Sequence, residues 1–350
     1  MQPMTELEAD RLRRYYRTFA RVEAADTSPV YAEWAQGVAD DDAIIDLLLG
    51  LPQPKRQANL LFAAARHLGS GTGTFAQLRA WLLEHWDATR ALMLERSTQT
   101  NEAGRCAVLL PELARLDGPL SLIEVGASAG LCLYPDRYSY RYRTAETGRP
   151  RADTVASGSE SVRSLALDPA EGPSSVVIEC ALRNTSAPEH IPEVAWRAGI
   201  DLNPIDITES DQRSWLRSLV WPEHDARRRR LTAAAELVAA DPPRLVSGDL
   251  CERVESLITE APANSQIVVF HSAVLAYVDA RKREEFAAVM HAHPEVKWLS
   301  NEGAGVLPST LAQLESRGVD ADGRFVLSVD GVAKALTGPH GQSYEDLDRS

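Results

Sequence analysis

Ser121-Leu-Ile-Glu-Val-Gly-Ala-Ser-Ala-Gly130 carries an apolar run into an acidic residue and then into a loop of small residues. Leu122, Ile123 and Val125 suit a buried parallel strand, while Gly126, Ser128 and Gly130 let the backbone turn sharply and approach a ligand closely. Strand-to-loop turns of this kind hold nucleosides and nucleotides. Glu124 sets this one apart. A phosphate-binding turn relies on bare backbone N–H groups, and a P-loop adds a Lys that is missing here. An acidic group in the turn repels phosphate and favours a cationic ligand.

Around this decapeptide, short apolar runs at 121–126, 198–202, 244–248, 266–271 and 296–300 alternate with helical stretches at 209–219, 225–240, 251–260 and 280–292. That alternation is the sequence form of a parallel sheet. Phe325 to Leu336 reads as two β-type runs joined by Asp330-Gly331, a type I′ hairpin signal. Residues 131–197 interrupt the pattern. Their aromatics alternate through Tyr138, Tyr140 and Tyr142, and Val176 to Cys180 forms a second strand-like run, so an inserted β element is expected, with an exposed loop over 144–175. Residues 1–117 show helical apolar spacing broken at Gly50–Pro54 and Gly69–Gly73, which predicts an all-helical region. The α/β domain then covers 118–350.

The chain has 350 residues, 44% of them hydrophobic and 25% charged, enough for a sizeable core. Its formal net charge of −13 argues against a nucleic-acid partner, because phosphate binding draws on clustered Lys and Arg. The basic run Arg227 to Arg230 reads as the solvated start of a helix. No apolar run reaches the roughly 18 residues of a membrane helix, and acidic residues stand where a signal peptide has basic ones, so no membrane partner and a cytoplasmic location are expected. Cys106, Cys132, Cys180 and Cys251 are scattered without a Cys-x-x-Cys pair, which favours reduced thiols. His291 and His293 lack a third ligand, so no metal is assigned.

Several residues fall where chemistry is expected. Asp201, in Gly199-Ile-Asp-Leu-Asn-Pro204, stands at a strand end, where a carboxylate accepts both hydroxyls of a ribose or else closes an Asx-turn. Asp249 follows the next strand as ligand contact or helix cap. His271, in His271-Ser-Ala-Val-Leu-Ala-Tyr277, is either a proton acceptor or a structural histidine, and Glu302, beside Asn301, orients a substrate amine or serves as a base. His340, between Pro339 and Gly341, is a turn residue or a substrate contact.

The acidic-x-Gly-x-small-x-Gly form and the order of elements resemble the class I methyltransferases. That resemblance implies α/β architecture with a methyltransferase-like Rossmann sheet of five parallel strands and a C-terminal antiparallel hairpin. It implies S-adenosylmethionine as cofactor, with Glu124, Gly126, Ser128, Gly130, Asp201 and Asp249 at the cofactor. His271 and Glu302 are then catalytic, and Tyr138, Asn301 and His340 meet a small-molecule substrate. On the same resemblance the helical region 1–117 is a lid or substrate-binding part. Together with Asp136-Arg-Tyr138 and Leu219-Val-Trp-Pro-Glu223, these motifs also resemble an uncharacterised family of bacterial proteins, over most of the chain. The expected activity is methyl transfer to a small molecule. The alternatives are a methyltransferase-fold enzyme of secondary metabolism performing intramolecular displacement, ring closure or hydrolysis, and a non-catalytic ligand-binding protein.

Overall fold

A computed structural model describes residues 2–99, 101–145 and 162–348. Helices come first: α1 (Gln2–Thr18), running into a π-helical turn, α2 (Pro29–Asp40), α3 (Asp42–Leu49), α4 (Ala58–His67), α5 (Phe75–Glu95) and α6 (Cys106–Leu113). Strands β1 (Leu120–Val125), β2 (Ser139–Ala145), β3 (Val162–Leu167), β4 (Val177–Arg183) and β5 (Val194–Asp201) follow. Then come α7 (Ser210–Leu219), α8 (Asp225–Ala240), β6 (Arg244–Ser247), α9 (Leu250–Glu260), β7 (Gln266–Ser272), α10 (Ala280–Ala292) and β8 (Lys297–Gly303). The chain closes with α11 (Pro308–Ser316), β9 (Phe325–Val329), β10 (Val332–Thr337) and β11 (Ser343–Asp346).

Two compact units result, one from Met1–Thr100 with Thr208–Thr232, the other from Asn101–Ile207 with Ala233–Ser350. The first is helical, and its boundaries are written in its caps. Ser28 Oγ accepts from Tyr31 N with Pro29 at the first helical position, and Asp41 Oδ1 accepts from Ile44 N. Thr74 and Gln77 form a reciprocal capping box at the start of α5. Tyr16, Phe19, Tyr31, Trp34 and Phe62 are buried in its core, joined there by Trp215 from α7. Arg66 ties α7 down by donating from Nη1 to the carbonyls of Ser218 and Val220 at 3.1 and 2.6 Å.

In the second unit the described strands form one mixed sheet of eleven, ordered β3-β2-β4-β11-β10-β9-β8-β7-β1-β5-β6. The expected methyltransferase-like Rossmann sheet is therefore not the fold. The run β6-β5-β1-β7-β8 is parallel, but β9 lies antiparallel on β8 and β10 antiparallel on β9. The hairpin, with φ of +50° at Asp330 and +78° at Gly331, leaves the second edge of β10 open. β11 pairs there antiparallel, β4 lies parallel to β11, and β2 and β3 complete the row. Thus the β element of the 131–197 segment extends the far side of the sheet. The loop expected over 144–175 contains β3, and its residues 146–161 lie outside the described residues.

On one face of the parallel run, Ile123, Val125, Ile200, Val269 and Trp298 pack with Val254 and Leu257 of α9 and Phe286 of α10. Fully buried α6 packs on β4 and β9. Tyr138, Tyr140 and Tyr142 are interior and donate their hydroxyls to the carbonyls of Leu131, Pro135 and Ala107. Burial raises all three phenol pKa values.

Phe62 touches four aromatic rings of the helical core, those of Tyr16, Phe19, Tyr31 and Trp34. Phe62→Ala is expected to cost this unit about 3–5 kcal/mol through lost burial and the cavity left behind. Denaturant unfolding followed by tryptophan fluorescence measures it, and a loss below about 1 kcal/mol would contradict this packing.

Candidate functional site

Three residues in five beyond β1 adopt left-handed backbone: Gly126 at φ +73°, Ser128 at +52° and Gly130 at +73°. The turn is held by the end of β5. Gly126 N and Ala127 N donate to Ile200 O at 2.8 and 3.0 Å, and Ile205 N donates to Ser128 O at 2.9 Å. Asp201 accepts from Ser128 N at Oδ2 and from Asn203 N at Oδ1, both at 2.8 Å. The carboxylate thus forms the Asx-turn and reaches across to the next loop. At Gly126 a Cβ would stand 2.3 Å from Val274 Cγ2, so only glycine admits this approach.

A pocket of about 260 Å³ opens at the carboxyl ends of β1, β5, β6 and β7. Val125, Ile200, Leu250, Val274 and Val278 give it apolar walls, and Asp201, Asp249, Asp279 and Lys282 give it charge. Asp249 caps α9 by accepting from Cys251 N at 3.0 Å and forms an ion pair with Lys282. The Lys282 ammonium holds the Asp249 carboxyl below the usual carboxylate range, and Asp249 raises the lysine in return. Asp279 caps α10 by accepting from Lys282 N at 3.0 Å. Of the lining residues, Tyr277 is 86% exposed and Leu202 is 70% exposed. A hollow of about 400 Å³ in the helical unit, beside Arg11, Tyr15 and Arg56, holds none of the candidate residues.

The pocket therefore gathers Gly126, Asp201 and Asp249 from the candidate set. His271 and Glu302 do come together, Nδ1 to Oε1 at 2.8 Å, but inside the core, with His271 fully buried and Glu302 2% exposed. Trp298 Nε1 donates to His271 Nε2 at 3.0 Å, so both ring nitrogens are engaged and neither is open to a substrate proton. Asn301 donates to Ser272 Oγ and accepts from Thr337 Oγ1, again in the interior. Tyr138 is buried as described, and His340 lies in the turn after β10, its backbone N donating to Gln342 Oε1.

Glu124 and Ser128 are nine-tenths buried or more outside the pocket lining, and neither Glu124 Oε2 nor Ser128 Oγ makes a hydrogen bond. Desolvation, reinforced by Cys132 and opposed by Arg105, raises the Glu124 pKa well above its ordinary value. Arg105, 5% exposed, donates to the carbonyls of Pro339 and Ser272 at 3.0 and 2.8 Å. The sequence reading passed over Arg105, and over Val274, Tyr277, Asp279 and Lys282 as pocket residues. The Asp279-Ala280 step into a helical stretch was a readable cap signal that put the start of α10 at the pocket.

Methyl transfer from S-adenosylmethionine, and the transferase class with it, is corrected by this architecture. Both rested on the acidic-glycine motif read within a five-stranded sheet closed by a hairpin, and the sheet is an eleven-stranded mixed one. Ring closure, displacement or hydrolysis on the same presumed fold loses its premise too. Among the described residues no group of three or more His, Cys, Asp or Glu is arranged to hold a metal, and no helix is long and apolar enough to cross a membrane.

The sequence profile of a bacterial family, described as "Uncharacterized protein conserved in bacteria (DUF2332)", matches residues 13–345. No curated protein matches the chain.

Glu124 gives a pH test. Its folded pKa is raised above the unfolded value, so its contribution is fully favourable below the unfolded pKa and is lost as pH rises through the folded pKa. Relative to Glu124→Gln, the parent is expected to lose stability as pH rises from about 4 towards neutrality. Urea unfolding of both proteins across that range measures the difference, and parallel stability curves would exclude a buried, high-pKa carboxyl.

Proposed function

Because the chain belongs to this bacterial family, which brings no reaction with it, we propose a function from the pocket: the protein binds a compact, phosphate-free small molecule at the carboxyl ends of β1, β5, β6 and β7. The observation that carries this reading is how the charges there are committed. Lys282, the one cationic residue of the lining, is paired with Asp249, and the N-termini of α9 and α10 are already capped by Asp249 and Asp279. A phosphate would meet carboxylates where helix N-termini otherwise attract it. Hydroxyl and amine donors suit such a rim, and the apolar walls with the exposed Tyr277 ring suit a flat ring. The volume of about 260 Å³ favours a ligand below ordinary drug size.

S-adenosylmethionine, whose nucleoside part has this compact size and whose sulfonium and ammonium groups suit the acidic rim, falls within this chemistry as a ligand, and methyl transfer forms no part of the reading. A cytoplasmic site of action, with the four cysteines as thiols, accompanies it. Calorimetric titration with adenosine, S-adenosylmethionine and ATP tests the proposal, beside Val278→Trp, which fills the pocket. The two phosphate-free compounds are expected to bind and ATP not to, and Val278→Trp is expected to weaken binding by at least about tenfold, roughly 1.4 kcal/mol. Equal affinity for ATP, or a Val278→Trp protein that binds as well as the parent, sinks it.

A further inference from the structure

Glu302 Oε1 accepts three N–H groups at once: His271 Nδ1 at 2.8 Å, Val274 N at 3.0 Å and Leu275 N at 3.1 Å. The tautomer of His271 follows from its other partner. An indole N–H can only donate, so Trp298 Nε1 at 3.0 Å requires a lone pair on His271 Nε2 and leaves the ring proton on Nδ1, aimed at Glu302. His271 and Glu302 are both buried, and the bond from Leu275 N is buried with them.

Two of the three donors belong to the backbone just past β7. There Ala273 holds φ of +56°, a left-handed conformation costly for a residue with a Cβ, and its N–H donates to Asn301 O at 3.1 Å. The same short segment supplies Val274, Tyr277, Val278 and Asp279 to the pocket wall. Glu302 itself is not among the lining residues.

We infer that Glu302 is the positioning residue of the pocket. Its carboxylate, oriented by His271 and Trp298, holds residues 273–279 in the strained shape that a ligand meets, without touching the ligand. Removing the acceptor takes away the protein partner of all three N–H groups, two of which belong to the backbone of the pocket wall. The consequence for affinity rests on the binding function proposed above, whereas the hold on the segment does not.

The experiment therefore reads both. Amide hydrogen exchange over residues 273–279 is measured in the parent, Glu302→Ala and Glu302→Gln, with adenosine affinity by calorimetry on the same proteins. In Glu302→Ala the Val274 and Leu275 amides are expected to exchange at least about tenfold faster, with β1 and α9 unchanged. Adenosine affinity is expected to fall about tenfold. Glu302→Gln keeps a side-chain oxygen acceptor and is expected to restore most of both. Unchanged exchange at Val274 and Leu275, a uniform rise throughout the unit, or no rescue by Gln overturns the inference. A parent without affinity for adenosine counts against the proposed function, and the exchange data still decide the role of Glu302. Should Glu302→Ala not fold, His271→Phe removes the orienting donor: faster exchange confined to residues 273–279 supports the assignment, and an unchanged profile overturns it.

Discussion

β10 is paired along both edges, and the architecture of the larger unit depends on it. An open strand edge is a row of unpaired N–H and C=O groups that must be paired, covered or blunted. The Asp330–Gly331 hairpin satisfies one edge of β10 through β9, and β11 takes the other with Ala335, Leu336 and Thr337 opposite Asp346, Glu345 and Tyr344. β11 then presents an edge of its own, which β4 takes in parallel, and β2 and β3 follow. The row ends on β3, whose residues 163–166 are exposed and include Arg163, and on the four-residue β6 with Arg244 at its start. Short or charged strands of that kind discourage further pairing.

The same demand for partners governs the interior. Three tyrosine hydroxyls, the Asn301 amide and the His271 imidazole are all committed to acceptors or donors within the unit. Residues whose types suggest chemistry thus serve as ties between strands and loops. The pocket lies where the parallel strands end, and its carboxylates double as the caps and turn closures that shape it. Glu124 and Glu302, the buried acids singled out from the sequence, each keep one oxygen unpaired, and at Glu124 desolvation raises the pKa.

Much of the local structure was legible. The parallel-strand and helix spans of the 118–300 stretch match β1, β5, β6, β7, β8, α7, α8, α9 and α10 to within a few residues, because apolar runs, caps and turn residues act over short distances. Tyr138, Tyr140 and Tyr142 announced β2 by alternation, and Asp330-Gly331 announced the hairpin. β11, Ser-Tyr-Glu-Asp, did not stand out, since four residues with a single buried aromatic resemble a loop. Of the candidate residues read from the sequence, Gly126, Asp201 and Asp249 line the candidate pocket, whereas His271, Glu302, Asn301 and Tyr138 are interior.

By itself the sequence determined where most of the elements between 118 and 300 begin and end and which faces of them are apolar, and it marked the turn after β1 as a sharp one through its small residues. Those properties follow from side-chain sterics, caps and periodicity within a few residues. Only the tertiary structure decided how the strands are ordered, because edge pairing joins segments such as 177–183 and 343–346 that share no local signal. It also decided that His271 and Glu302 face each other inside the core, since burial and hydrogen-bond partners are properties of neighbours brought together by the fold.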